Sequence, residues 1–173
     1  MTDLRTERLI LHPTDVAEAG RIVARWPGPE DRWAPDFPFE GDVIGVTAYL
    51  QAVALHGDQH PFGHYRITRA EDGLAIGGIG FKGQPQGGSV EIGFGLAPSA
   101  RGHGYAAEAA RALVSLAREH GLSRVVADTA PDNIASQRTL ERAGFTRSGR
   151  SGDLLLYVVE LVPVGGSSDR TQA

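Results

Sequence analysis

The chain of 173 residues contains no cysteine. That excludes disulfides, a thiolate metal site and a cysteine nucleophile. Long apolar runs are missing as well, since none approaches the ~20 residues of a membrane span. The first eight residues, M-T-D-L-R-T-E-R, are charged and lack the apolar stretch of a signal peptide. A soluble cytoplasmic protein with no membrane partner is therefore expected. Lysine is nearly absent: Lys82 stands alone against sixteen arginines, which reads as compositional bias. The net charge of −4 argues against general nucleic-acid binding.

What is present suits one folded unit. With 41% apolar residues the chain can bury a sizeable core, and its length fits a single domain, expected over residues 1–162. Residues 163–173 are small and polar and are expected to be a disordered tail. Charge is uneven. Residues 1–100 hold eight basic and thirteen acidic side chains, and residues 101–173 hold nine and eight. The basic excess thus falls in the second part, whether by chance or to meet an anion.

Alternation around Leu9 and Leu11 predicts a strand over Arg8 to His12. Asp15 caps a helix to about Arg25. Trp26 to Gly41 holds four prolines and four aromatics, which excludes regular structure while being too aromatic for a passive linker. Asp42 or Thr47 starts a second helix ending near His56. Strands are expected over Tyr65–Arg69 and Ala75–Phe81, joined at Glu71–Gly73. After a turn at Gly83–Gly88 comes Val90–Leu96, with Val90, Ile92, Phe94 and Leu96 on one face and Glu91, Gly93 and Gly95 on the other. A helix from about Gly104 to His120 follows, with its apolar face on Ala106, Ala109, Ala110, Leu113, Leu116 and Ala117. Gly121 ends it. Arg124–Thr129 reads as a buried strand. Asp132 or Asn133 opens a last helix closed at Gly144, and Phe145–Gly149 with Asp153–Val162 reads as an antiparallel pair. His56, His60 and His64 are irregularly spaced and are expected to be surface residues, not metal ligands; no metal is expected.

Arg101-Gly102-His103-Gly104 opens directly into a helix. The first-turn N–H groups of a helix lack intrahelical partners, and its dipole adds about half a positive charge there. Glycines on either side of His103 allow a bulky anion to approach the main chain. The turn therefore reads as a pyrophosphate cradle. Gly102, Gly104 and Ala107 also spell G-x-G-x-x-A, with Asp128 at the ribose-acid distance. Against a dinucleotide fold stand the four residues Pro98–Arg101 between strand and turn, and too little chain afterwards for more parallel strands.

The run R-x-x-G-x-A at Arg101–Ala106 resembles the acetyl-CoA pyrophosphate motif of the GNAT acetyltransferases. Leu4–Leu11, L-R-T-E-R-L-I-L, resembles the opening strand of the subgroup that acetylates ribosomal-protein N-termini at alanine or serine. Asn133–Phe145, N-I-A-S-Q-R-T-L-E-R-A-G-F, resembles its N-x-x-S-x-x-x-L-E-x-x-G-F segment. The resemblance implies an α/β (α+β) fold, a mixed, strongly twisted sheet of six to seven strands with about four helices. It implies transfer of acetyl from acetyl-CoA, as co-substrate, to a primary amine of a peptide, protein or small molecule. A homodimer stays open. The alternative is a non-catalytic CoA-binding regulatory module.

The resemblance also distributes roles. Phe94 and Leu96 pair with the pantetheine arm. Arg101, Gly102, His103, Gly104, Tyr105 and Ala106 hold the pyrophosphate. Asn133 bonds the arm, and Ser136 bonds the thiol. Many relatives carry a tyrosine acid seven residues after the asparagine, where this chain has Leu140, so proton donation falls to Ser136 or water. Glu91, on the glycine face of its strand, is the candidate general base. Its bland reading is a solvated residue or ion pair, and that of Asn133 and Ser136 is a helix cap. Glu108 is expected to be structural. Trp33 and Phe37 form either an acceptor-pocket wall, which the family favours, or a hydrophobic plug.

Overall fold

A computed structural model describes residues 2–162; the expected tail over 163–173 lies outside them. Eight strands form one mixed sheet in the order β1-β2-β3-β4-β5-β6-β8-β7. They are β1 (Leu4–Arg5), β2 (Leu9–Pro13), β3 (His64–Arg69), β4 (Leu74–Phe81), β5 (Ser89–Leu96), β6 (Arg124–Thr129), β7 (Thr146–Ser151) and β8 (Leu154–Glu160). The helices are α1 (Val16–Ala24), α2 (Glu40–His56), α3 (Tyr105–Glu119) and α4 (Ile134–Arg142). The fold class is as expected, with eight strands where six to seven were expected. The extra strand is β1, two residues paired antiparallel with Leu11 and Ile10, too short to show a period.

Only β5 and β6 run parallel; every other neighbouring pair is antiparallel. That rules against the doubly wound parallel sheet of a dinucleotide fold.

The local rules hold where side chains carry them. Oδ1 of Asp15 accepts the Glu18 N–H at 2.7 Å and caps α1. Asn133 caps α4 in the same way. The expected apolar face of α3 is buried throughout and is joined by Ala107 and Val114. The start of α2 differs from expectation. Phe39 is its N-cap and Asp42 is the third helical residue, with Oδ2 reaching back to the Phe39 N–H at 3.1 Å. The carboxylate does cap the helix, but from inside it.

Two β4–β5 pairs place glycine opposite glycine: Gly78 with Gly95, and Gly80 with Gly93. One face of the central ladder is thereby stripped of side chains. Residues entering α2 and β3 lie over it. A methyl on Gly95 would come within 2.6 Å of the Phe39 ring, and one on Gly78 within 2.7 Å of Nε2 of His64. The opposite face carries Ile79, Ile92 and Leu96, all buried.

Candidate active site

The ladder between β5 and β6 stops early. Its pairs are Ser89 with Arg124, Val90 with Val125 and Glu91 with Val126. Beyond Glu91 the strands carry no mutual pairing, although β5 runs to Leu96 and β6 to Thr129. Apart from the Leu96 carbonyl, which accepts from Arg101, the backbone groups facing the gap have no strand partner among the described residues and could pair with an added strand-like ligand. A cavity of about 620 Å³ opens there, lined among others by Gly93, Phe94, Asp128, Asn133 and Ser136. A second concavity, about 670 Å³, lies between the β1–β2 corner and the outer side of α3 and touches none of the expected site residues.

The turn before α3 has the cradle geometry. Gly102 and Gly104 hold φ of +85° and +79°, a left-handed conformation that only glycine adopts at little cost. Gly104 is the N-cap and supplies no side chain. Among the described residues, the N–H groups from Gly102 to Ala107 have no hydrogen-bond acceptor. Arg101 is exposed but folds back onto β5: its Nε donates to the Leu96 carbonyl at 3.0 Å, and its guanidinium lies 5.2 Å from the centre of the Phe39 ring. His103 contributes its carbonyl to Arg8 at 2.8 Å. Glu108 is structural, as expected. Its buried carboxylate accepts from Thr6 and from the Arg8 backbone and side chain, which locks the β1–β2 corner to the first turn of α3. Those bonds win over burial and hold its carboxyl below the usual range.

Asn133 and Ser136 sit together on the cavity wall. Oδ1 of Asn133 accepts the Ser136 N–H at 3.1 Å, so the capping reading holds. It leaves the asparagine amide nitrogen and the serine hydroxyl without protein partners among the described residues. Leu140 is fully buried, so that position points into the core and not at the gap.

Glu91 stands at the last paired position before the gap. Its Oε2 lies 3.2 Å from Nζ of Lys82, and the same Nζ lies 3.8 Å from Oδ1 of Asp128. Lys82, passed over in the sequence as compositional bias, thus bridges β5 and β6 where they part.

Trp33 and Phe37 are not among the residues lining the cavity. They meet edge to face at 5.3 Å within the core cluster, where Phe37 is buried and Trp33 partly so. Ala34 N–H donates to the Ala75 carbonyl at 3.0 Å, and Ala75 N–H to the Arg32 carbonyl at 2.8 Å. This proline-rich segment therefore patches β4 beyond the end of β5, which is the plug reading. The aromatic that does reach the glycine face is Phe39.

Two buried polar groups were not foreseen. His64 is buried, not at the surface, with Nδ1 2.8 Å from Oγ1 of Thr14. Burial pushes its pKa down to about 4. Asp42 is buried too, and its Oδ1 has no partner. Burial pushes its carboxyl up to about 7, against the pull of Arg101 and Arg25. Both border the cavity. A cap signal at Asp42 was visible in the sequence, and the strand expected from Tyr65 begins one residue earlier, at His64, but nothing local marked the convergence of the two side chains. Among the described residues, no group of three His, Asp or Glu side chains could hold a metal ion, and no helix is long and apolar enough to cross a membrane.

The site is a mixed sheet splayed between two parallel strands, followed by a turn whose amides have no acceptor among the described residues. Residues 8–146 match the acetyltransferase (GNAT) domain family, and the chain belongs to that family. It is 39% identical over 111 residues to the uncharacterized N-acetyltransferase YjdG of Bacillus subtilis (strain 168), across 62% of this chain and 66% of that one. An acetyltransferase structure from Agrobacterium tumefaciens str. C58 is 29% identical, with a TM-score of 0.66 over 92% of this chain and 94% of that one. The ribosomal L7/L12 α-N-protein acetyltransferase RimL, solved with coenzyme A, shares the fold at 19% identity, with a TM-score of 0.67 over 92% and 98%.

Proposed function

We propose that the protein transfers acetyl from acetyl-CoA to a primary amine held over the glycine face of β4 and β5. One observation carries the reading: the unpaired gap beyond Glu91 and the partnerless amides of Gly102–Ala107 lie on one continuous path along β5. The gap suits the pantetheine amides, with Phe94 and Leu96 offering the strand edge. The turn suits the pyrophosphate, which backbone N–H groups and the helix dipole bind without a cationic side chain. Tyr105 and Ala106 add first-turn amides.

Acetyl transfer needs alignment more than covalent help. The amine must lose a proton before attack, and the thiolate must gain one. Glu91 is the proposed base, directly or through one water. It already contacts an ammonium, that of Lys82, at 3.2 Å. Ser136, its hydroxyl unpaired at the gap, is placed to return a proton to the thiolate, with water as substitute. The acceptor class follows the ribosomal-protein acetyltransferases that share the fold, a peptide or protein α-amine, with small-molecule amines as the other option.

Steady-state kinetics on Glu91→Gln tests the base. Turnover should fall by roughly 10²-fold, the acid limb of the pH profile should flatten, and acetyl-CoA affinity should stay within a few-fold. Unchanged turnover removes Glu91 from the mechanism.

A further inference from the structure

Lys82 is the one lysine among the 173 residues. It directly follows Phe81, the last residue of β4, and its backbone N–H donates to the Glu91 carbonyl at 2.8 Å. The side chain then crosses the bare face of Gly93. A methyl on Gly93 would come within 2.7 Å of its Cε and 3.6 Å of its Nζ. Nζ ends between Glu91 on β5 and Asp128 on β6, at the point where the ladder between those strands stops. Lys82 lines the same cavity as Phe94, Asn133 and Ser136. The protein thus carries a primary amine of its own, on a flexible four-carbon stem, against the proposed base and beside the thioester path. Its side chain is half exposed, so protein packing does not enclose the stem.

We propose that Lys82 is an acetylation site of this protein, its ε-amine acting as a tethered acceptor for the acetyl group bound in the gap. The inference rests on the gap being the acetyl-CoA site, as argued above. The lysine ammonium gives one proton to Glu91. The freed lone pair forms the C–N bond to the thioester carbon as the C–S bond breaks. The second nitrogen proton passes to the leaving thiolate through Ser136 or water, so one coenzyme A thiol leaves per acetyl gained. Tethering raises the local amine concentration far above that of a free amine. Glu91 passes its proton to solvent; the resulting amide is neutral and no longer bridges Glu91 and Asp128, which leaves both carboxylates open to an incoming ammonium. The competing view is a purely structural bridge between β5 and β6.

Intact-mass and peptide-mapping measurements on the full chain decide it. The protein is incubated with acetyl-CoA alone, over a hundredfold range of protein dilution, beside the same chain unfolded in urea. A parallel arm adds alanine- and serine-initiated tripeptide amides and butylamine. The expected result is one acetyl group on Lys82, at a rate independent of protein concentration and at least about tenfold above that of the unfolded chain. Lys82 unmodified, modified no faster than in urea, or modified at a rate that rises with protein concentration overturns the tethered acceptor. The same holds if acetyl goes to the α-amino group instead. If the added amines are acetylated in those cases, the reading of the gap survives. If neither the chain nor any added amine gains acetyl, both fall together.

Discussion

Asp42 is a carboxylate whose surroundings decide when it ionises. Its folded pKa of about 7 lies above the ordinary value of 3.8, with burial as the cause. Between those values the folded protein holds a proton that the unfolded chain gives up. Its contribution to stability is therefore full below about pH 4 and is lost as pH rises through 7. His64 works the other way: its pKa is pushed from 6.5 to about 4 by burial, so stability is lost as pH falls between those values. Comparing Asp42→Asn with the parent isolates the first effect. The amide oxygen of asparagine can still accept the Phe39 N–H but cannot ionise. Thermal melts should show the variant gaining on the parent as pH rises from 5 to 8, with each kcal/mol appearing as about 2–4 °C for a domain of this size. A difference that does not change with pH would mean that the carboxyl is not held neutral. None of this was legible in the sequence, where Asp42 was only a cap signal. The unpartnered Oδ1 and the His64 ring both lie over Gly78, a space left open because β4 and β5 pair glycine with glycine. The same limit governed Trp33 and Phe37. Their composition marked a packed, shaped segment, but which surface it packs against is a property of the folded sheet.

The strand–turn–helix element from β5 into α3 was legible almost residue by residue, because its signals are local. Alternation in Val90–Leu96, the break at Pro98, the two glycines and the alanine-rich face each specify their own conformation. Helix starts with a side-chain cap, at Asp15 and Asn133, were legible for the same reason. The start of α2 was not, because its N-cap is Phe39, which provides no side-chain acceptor. Leu140 shows how a family position can be read without its surroundings: in this chain that site belongs to the core. The turn itself gives a sharp expectation. Gly104 holds φ of +79° and lacks a Cβ where the pyrophosphate is proposed to meet the main chain. Gly104→Val should weaken acetyl-CoA binding by more than about tenfold, through backbone strain of 1–3 kcal/mol and steric block together. Binding of a pantetheine fragment without the pyrophosphate should change little. Calorimetry with both ligands checks it, and equal losses for the two would show that the whole site had collapsed instead.

At the scale of the whole molecule, two halves of unlike composition meet at one seam. The acidic half supplies β1 to β5 and the glycine face; the more basic half begins at the Arg101–Gly104 turn and supplies α3, β6 and α4. The fold class was legible from the order of elements, whereas the gap was not: no sequence signal states that β5 and β6 stop pairing after Glu91. The gap would serve a CoA-binding module equally well; acetyl transfer, the central claim, is proposed from Glu91 at the last paired position before the gap and Ser136 on the cavity wall. The direct test is stoichiometric. Purified protein is mixed with acetyl-CoA and the peptide and small-molecule amines named above; released thiol and acetylated amine are both quantified over time. Beyond the single equivalent per chain expected from Lys82, the account predicts thiol release that depends on the amine, continues for many turnovers per chain, and matches acetylated amine one for one. Tight binding of acetyl-CoA with no amine-dependent thiol release would contradict it and leave a CoA-binding regulatory module in its place.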